Sequence, residues 1–181
     1  MNILFVSLGC DKNLVDTEVM LGLLASRGHQ MVDSEEIADV IVINTCCFIH
    51  DAKEESIQTI LEMAEYKKAG SCKALIVTGC LAQRYKQEII DEIEEVDAVL
   101  GTTSYDKIVE AIDEALAGHT SVEMTDIDAL PLVESKRLVT TGGHFAYLKI
   151  AEGCDKHCTY CIIPKIRGNF RSVPIARLLK E

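Results

Sequence analysis

Apolar runs rich in β-branched residues alternate with longer stretches of helical period as far as residue 117. Ile3-Leu4-Phe5-Val6 opens a strand predicted over residues 3–8, and the period then changes to that of a helix over 14–26, which Gly28 stops. A short strand is expected over 29–32. Val40-Ile41-Val42-Ile43 is an unbroken apolar run, the pattern of a strand covered on both faces in a parallel sheet. A helix over 52–68 ends at Gly70, a strand follows over 74–78, a helix runs to about residue 94, and a strand over 98–100 leads into a helix over 104–117. Strands separated by helices of this length need crossover connections, so the predicted fold is α/β, an open parallel sheet flanked by helices.

Residues 119–143 break the pattern. They are polar, carry Pro131 and the Gly142-Gly143 pair, and read as a linker with room for short strands. A new strand is predicted over 145–150, running straight into a cysteine-rich loop, and residues 174–180 read as the first turns of a helix. One strand, one loop and part of a helix cannot bury a core of their own. Residues 144–181 therefore either pack on the first domain or open a second one that continues past Glu181; the second is the expectation. The division is 1–118, a linker over 119–143, and 144–181 as the start of an incomplete domain.

Composition adds three constraints. The 181 residues are 48% hydrophobic and 5% aromatic with no Trp, enough for an aliphatic core. The net charge of −11 is uneven: residues 144–181 carry +4 and the rest −15. An acidic body repels nucleic-acid phosphate and suits a basic protein partner. No run approaches the ~18 apolar residues of a membrane span, and Val6-Ser7-Leu8-Gly9-Cys10 lacks the basic leader of a lipoprotein signal. The expected location is the cytoplasm. Eight cysteines in such a chain point to metal or redox chemistry rather than disulfides.

Cys154-Asp155-Lys156-His157-Cys158-Thr159-Tyr160-Cys161 places three thiols in the spacing C-x3-C-x2-C. An iron–sulfur cluster normally takes four cysteine ligands, so three leave one iron open to a small chelating molecule. Zinc is the competing reading, because structural zinc sites close with four ligands, often Cys3His. His157 would have to be the fourth, and it directly precedes Cys158. The run resembles that of the radical S-adenosylmethionine (SAM) enzymes, a resemblance that puts SAM on the open iron.

Cys10, Cys46 and Cys80 each fall just past the carboxyl end of a predicted parallel strand. Loops at those ends converge on one crevice in open α/β sheets, and helix amino termini favour thiolate. Placement alone leaves two readings open: a second three-thiolate site, or three small packing residues. Cys47 is expected to point away as a packing thiol, and Cys72, in a polar turn, to have no function. Asn13, Asn44 and Thr45 orient the site or, by default, cap helices. His29, His50, His119 and His144 share no metal spacing.

Ser7-Leu8-Gly9-Cys10-Asp11-Lys12-Asn13, Asn44-Thr45-Cys46 with Phe48-Ile49, Gly79-Cys80-Leu81-Ala82-Gln83-Arg84-Tyr85, and the stretch from Leu148 through the cysteine run to Arg167-Gly168 together resemble the methylthiotransferases, radical SAM enzymes with two 4Fe-4S clusters. The resemblance covers the whole chain. It is strongest to the RimO type, which acts on the β-carbon of an aspartate in small-subunit ribosomal protein twelve. Asp11-Lys12-Asn13 and Phe48-Ile49 separate it from the MiaB type, which acts on transfer-RNA adenosine.

That resemblance implies that Cys154, Cys158 and Cys161 hold the cluster that cleaves SAM, with Tyr160 beside the SAM site. It implies that Cys10, Cys46 and Cys80 hold an auxiliary cluster carrying the sulfur to be transferred. A second SAM supplies the methyl group, and an electron donor is required. Two departures stand out: Cys47 replaces a common family glycine, and the rest of a (β/α) barrel and a carboxyl-terminal β-domain are absent. Residues 144–181 would then be the first strand, cluster loop and partial helix of a truncated barrel, and the chain alone is expected to be inactive. The alternatives are transfer-RNA modification and a non-catalytic cluster-binding or docking module.

Overall fold

β3 (Val40–Thr45) and β4 (Ala74–Gly79) are buried at every position, as runs without a polar face must be. A computed structural model of the chain describes residues 1–131 and 137–181. β1 (Asn2–Ser7), β2 (Gln30–Val32), β5 (Ala98–Leu100) and β6 (Ser121–Glu123) join β3 and β4 in one sheet. The order is β2-β1-β3-β4-β5-β6 and every pairing is parallel.

The side-chain period of two sends the strand residues to opposite faces. Leu4, Ile41, Ile43, Leu75 and Val77 pack under α2 (His50–Lys68), α3 (Cys80–Tyr85) and α4 (Gln87–Glu92). Ile3, Val40, Val42, Ala74 and Ile76 pack under α1 (Asp11–Ser26) and α5 (Ile108–Leu116). The chain turns back toward the next strand at Gly28, Gly70 and Gly118, around which the space is open. These turns lie at the sheet end opposite the one that Cys10, Cys46 and Cys80 follow.

Three expectations change. The helix predicted up to residue 94 is broken into α3 and α4 at Lys86, whose φ of 45° lies in the left-handed region. The sheet extends to residue 123, inside the segment read as linker, because Ser121 to Glu123 pair in parallel with Ala98 to Leu100. Residues 132–136 of that linker lie outside the described residues. Finally, residues 145–150 form no strand ladder. β7 (Ala151–Glu152) pairs instead with β8 (Arg171–Ser172), extended by the Val173 N–H donating to the Ile150 carbonyl at 2.9 Å. An alternating run becomes a strand only where a partner backbone lies alongside, and only the 171–173 stretch does.

A short helix that the pattern did not predict, α6 (Ile163–Arg167), carries Pro164 in its first turn, where a missing N–H costs nothing. α7 (Ile175–Leu178) falls inside the helix expected over 174–180. No helix among the described residues is long and apolar enough to cross a membrane.

Candidate metal centre

The sheet order reverses between β1 and β3, and such a reversal opens a crevice outside the carboxyl ends of the strands. Ser7 pairs with Asn44, Asn44 with Thr78 and Thr45 with Gly79, so the three strands end level. Cys10 follows β1 at the first residue before α1, Cys46 immediately follows β3, and Cys80 is the first residue of α3. Cys46 and Cys80 are buried and Cys10 is exposed.

Close packing fixes these loops against one another. Gly9 has a φ of 94°, and a Cβ there would stand 2.8 Å from Cys46 Cβ and 3.1 Å from its Sγ. Any side chain would push the first and second loops apart. Asn13 reaches all three loops. Its Nδ2 donates to the carbonyls of Leu8 and Thr45, both at 2.9 Å. Its Oδ1 lies 3.8 Å from Cys80 Sγ. Asn44 Nδ2 in turn donates to the Asn13 carbonyl at 2.8 Å, and Thr45 Oγ1 donates to the Thr78 carbonyl at 2.5 Å. None of these side chains caps a helix, contrary to the default expectation; they bind strand ends together.

Cys80 does not have the activated thiol expected at a helix amino end. Burial pushes it up to about 11, and the opposing pull of the Arg167 guanidinium offsets only part of that. Cys47 sits in the core, and its S–H donates to the Cys80 carbonyl at 3.2 Å. Cys72 is also buried, and donates to the Ala74 carbonyl at 3.1 Å. Burial raises the pKa of both thiols.

Cys154, Cys158 and Cys161 lie on the loop between β7 and α6, with Cys158 exposed and the other two half-buried. The loop is anchored at its base: the Cys154 N–H donates to the Gly168 carbonyl at 3.0 Å, and the Phe170 N–H to Asp155 Oδ1 at 2.6 Å. Gly153 has no room for a Cβ, which would stand 2.6 Å from the Gly168 carbonyl oxygen. Tyr160 is 90% exposed beside Cys161.

Tetrahedral thiolates on one zinc, at Zn–S of about 2.3 Å, sit about 3.8 Å apart. Among the described residues neither cysteine trio brings its three sulfurs within 4.8 Å of one another, and His157 joins no ligating group. That spacing is too wide for a closed single-metal site. A multi-iron cluster takes each thiolate on a different iron and does not need them that close. The group that does meet the 4.8 Å spacing is His50, Asp51 and Glu54, all exposed on the first turn of α2.

Sequence reasoning missed the buried charges between the two trios. Arg167, at the end of α6 and 4% exposed, donates from Nη1 to Asp16 Oδ2 at 2.8 Å and to Glu152 Oε2 at 3.2 Å. Its Nη2 donates to Asn13 Oδ1. Lys149 bonds Asp16 and stands 3.2 Å from Glu152, and Lys12 Nζ donates to the Ala151 carbonyl at 2.7 Å and to Glu152 Oε1 at 3.3 Å. Burial opposes ionisation of Glu152, but the charges of Arg167, Lys149 and Lys12 hold it down at about 2. The available signal was the polar stripe Asn13, Asp16 and Thr17, spaced to share one side of α1 and all buried.

Comparison with known proteins places this arrangement. Residues 2–101, more than half of the chain, match the family described as Uncharacterized protein family UPF0004. The chain belongs to that family. The UPF0004 match takes in β1 to β5 and with them Cys10, Cys46 and Cys80, whereas the cysteine run lies beyond it. The chain is 67% identical, over all 181 residues, to "Ribosomal protein uS12 methylthiotransferase RimO" of Lachnoclostridium phytofermentans, of which it covers 41%. Proteins of the same name from Desulforamulus reducens and Clostridioides difficile are 53% and 50% identical over 97% of the chain, which covers 40% and 39% of them. The chain thus spans about two fifths of the length of these relatives.

Proposed function

We propose that this chain is the amino-terminal portion of a radical SAM methylthiotransferase that adds a methylthio group to the β-carbon of an aspartate in ribosomal protein uS12. The observation that carries this reading is the 67% identity, over the entire chain, to a protein named for that activity. The relatives described above carry the uS12 name, which favours a ribosomal-protein substrate over transfer RNA.

Cys10, Cys46 and Cys80 hold an auxiliary 4Fe-4S cluster in this reading, and Cys154, Cys158 and Cys161 hold the 4Fe-4S cluster that binds SAM. When bound, the clusters and SAM supply the hydrogen abstraction, the sulfur and the methyl group, with electrons from an external one-electron donor. The chain's own residues provide position and shielding. Burial of Cys46 and Cys80 keeps water from one side of the crevice, while exposed Cys10 leaves the other side accessible. Cys158 lies at the open face of its loop with Tyr160 close in sequence, on the side assigned to SAM. β7, the cysteine loop and α6 constitute the start of the (β/α) barrel, and a ribosomal substrate places the activity in the cytoplasm.

The test begins with anaerobic iron and sulfide loading of the 181-residue chain. About eight irons per chain are expected, falling to about half when either trio is replaced by alanine. Bound zinc without labile sulfide overturns the reading. The chain joined to the carboxyl-terminal remainder of the Lachnoclostridium phytofermentans relative is then incubated with uS12, SAM and a reductant. Added methylthio mass on a uS12 aspartate is the expected result, with none from the 181 residues alone. Modified transfer RNA with unchanged uS12 overturns the choice of substrate.

A further inference from the structure

A buried ion-pair network lies between the two trios. Arg167 and Lys149 face two carboxylates, Asp16 and Glu152, while Lys12, its side chain 44% exposed, reaches Glu152 from the solvent. Tyr105, whose ring lies under Lys149 at 5.1 Å, has its phenol pushed up to about 12 by burial and so stays neutral. Two buried cations thus meet two buried carboxylates, and loss of any one leaves a buried charge uncompensated, which is costly. The free direction of the Arg167 guanidinium is the one that its Nη2 takes toward Asn13 Oδ1, the same oxygen that lies 3.8 Å from Cys80 Sγ. Among the described residues no carboxylate is bonded on that side; the next group is the thiol.

We propose that Arg167 is a positioning residue that places a positive charge beside the auxiliary cluster and sets its reduction potential. This rests on the reading that Cys10, Cys46 and Cys80 hold that cluster. A thiolate at Cys80 on the metal would lie on the side of the guanidinium that no carboxylate takes. A cation held beside the cluster stabilises its more reduced, more negative state, and charge and hydrogen bonding around the sulfurs are the means by which proteins tune such potentials. Arg167 lies six residues past Cys161. The charge therefore comes into place only when the segment carrying the other trio is seated against α1.

The experiment uses the 181-residue chain with Cys154, Cys158 and Cys161 replaced by alanine, so that only the dispersed trio can load. Absence of iron in that chain refutes the cluster reading itself, before any charge is altered. With about four irons bound, a potentiometric titration followed by visible absorption and electron paramagnetic resonance reads the midpoint. Arg167→Gln keeps a donor for Asn13 but removes the charge and is expected to shift the midpoint to lower potential. Arg167→Lys is expected to stay near the parent, and Asp16→Asn, which leaves a positive excess, to shift it upward. Opposite shifts from two neighbouring residues would not follow from a purely structural role. Equal midpoints, or shifts of one sign at unchanged iron content, overturn the proposal. Should Arg167→Gln fail to load iron, the direction of the Asp16→Asn shift decides.

Discussion

Ser56 holds the Cys46 peptide from both sides. Its hydroxyl accepts the Cys46 N–H at 3.0 Å and donates to the Cys46 carbonyl at 2.8 Å, and the serine is fully buried on α2. Ser56→Ala leaves a buried N–H and a buried carbonyl unpaired, at a cost of about 2 kcal/mol. The expected outcome in urea denaturation is a lower midpoint with unchanged slope, together with weaker iron loading at the dispersed trio. Unchanged stability would show that water replaces the hydroxyl.

Thiol accessibility orders the cysteines. In the metal-free chain, Cys10 and Cys158 are exposed and should alkylate first, while Cys47, Cys72 and Cys80 are buried with raised pKa values and should be modified only on unfolding. Peptide mass mapping after timed iodoacetamide treatment reads the order. Labelling of Cys47 at the rate of Cys158 would mean that the core near the crevice opens in the native state.

Lys86 separates α3 from α4 with φ 45° and ψ −117°, a conformation that costs a residue with a Cβ and suits glycine. Lys86→Gly is expected to stabilise the chain by about 1 kcal/mol, seen as a higher thermal midpoint. A lower midpoint would mean that the lysine side chain contributes more than its backbone costs.

Asp39 accepts the Asn2 N–H at 2.9 Å and pairs with Lys73 at 2.6 Å, and the Lys73 contact, then the Asn2 bond, lower its pKa. A depressed carboxylate contributes stability that is present above its unfolded value, about 3.9, and is lost as pH falls through the folded value. Asp39→Asn should therefore cost about 0.5–1 kcal/mol at neutral pH, and the gap to the parent should close on acidification. A gap that persists well below the carboxylate range would assign the effect to packing.

Much of the architecture is legible in the sequence because the central strands have no polar face. Val40-Ile41-Val42-Ile43 can be satisfied only by cover on both sides, and that requirement dictates helices on both faces. What escaped reading is what leaves no periodic trace. β6 is Ser121-Val122-Glu123, half-buried throughout and held by backbone pairing to β5 rather than by an apolar run. Residues 145–150 have the alternation of a strand but not the partner. The positions of Cys10, Cys46 and Cys80 follow from the strand pattern, yet the state of Cys80 does not, because burial outweighs the helix end. The pairing of Arg167 with Asp16 joins residues 151 apart in sequence, and nothing local in either segment announces it.

The turns at Gly28, Gly70 and Gly118 have open space around them and stand at the sheet end away from Cys10, Cys46 and Cys80. That separation gives the molecule a handle. A fluorophore, an affinity peptide or a surface linker placed at any of these turns would report on or immobilise the chain while leaving the thiol-bearing crevice free. The same α/β unit could thus be mounted on an electrode with its chemistry facing outward.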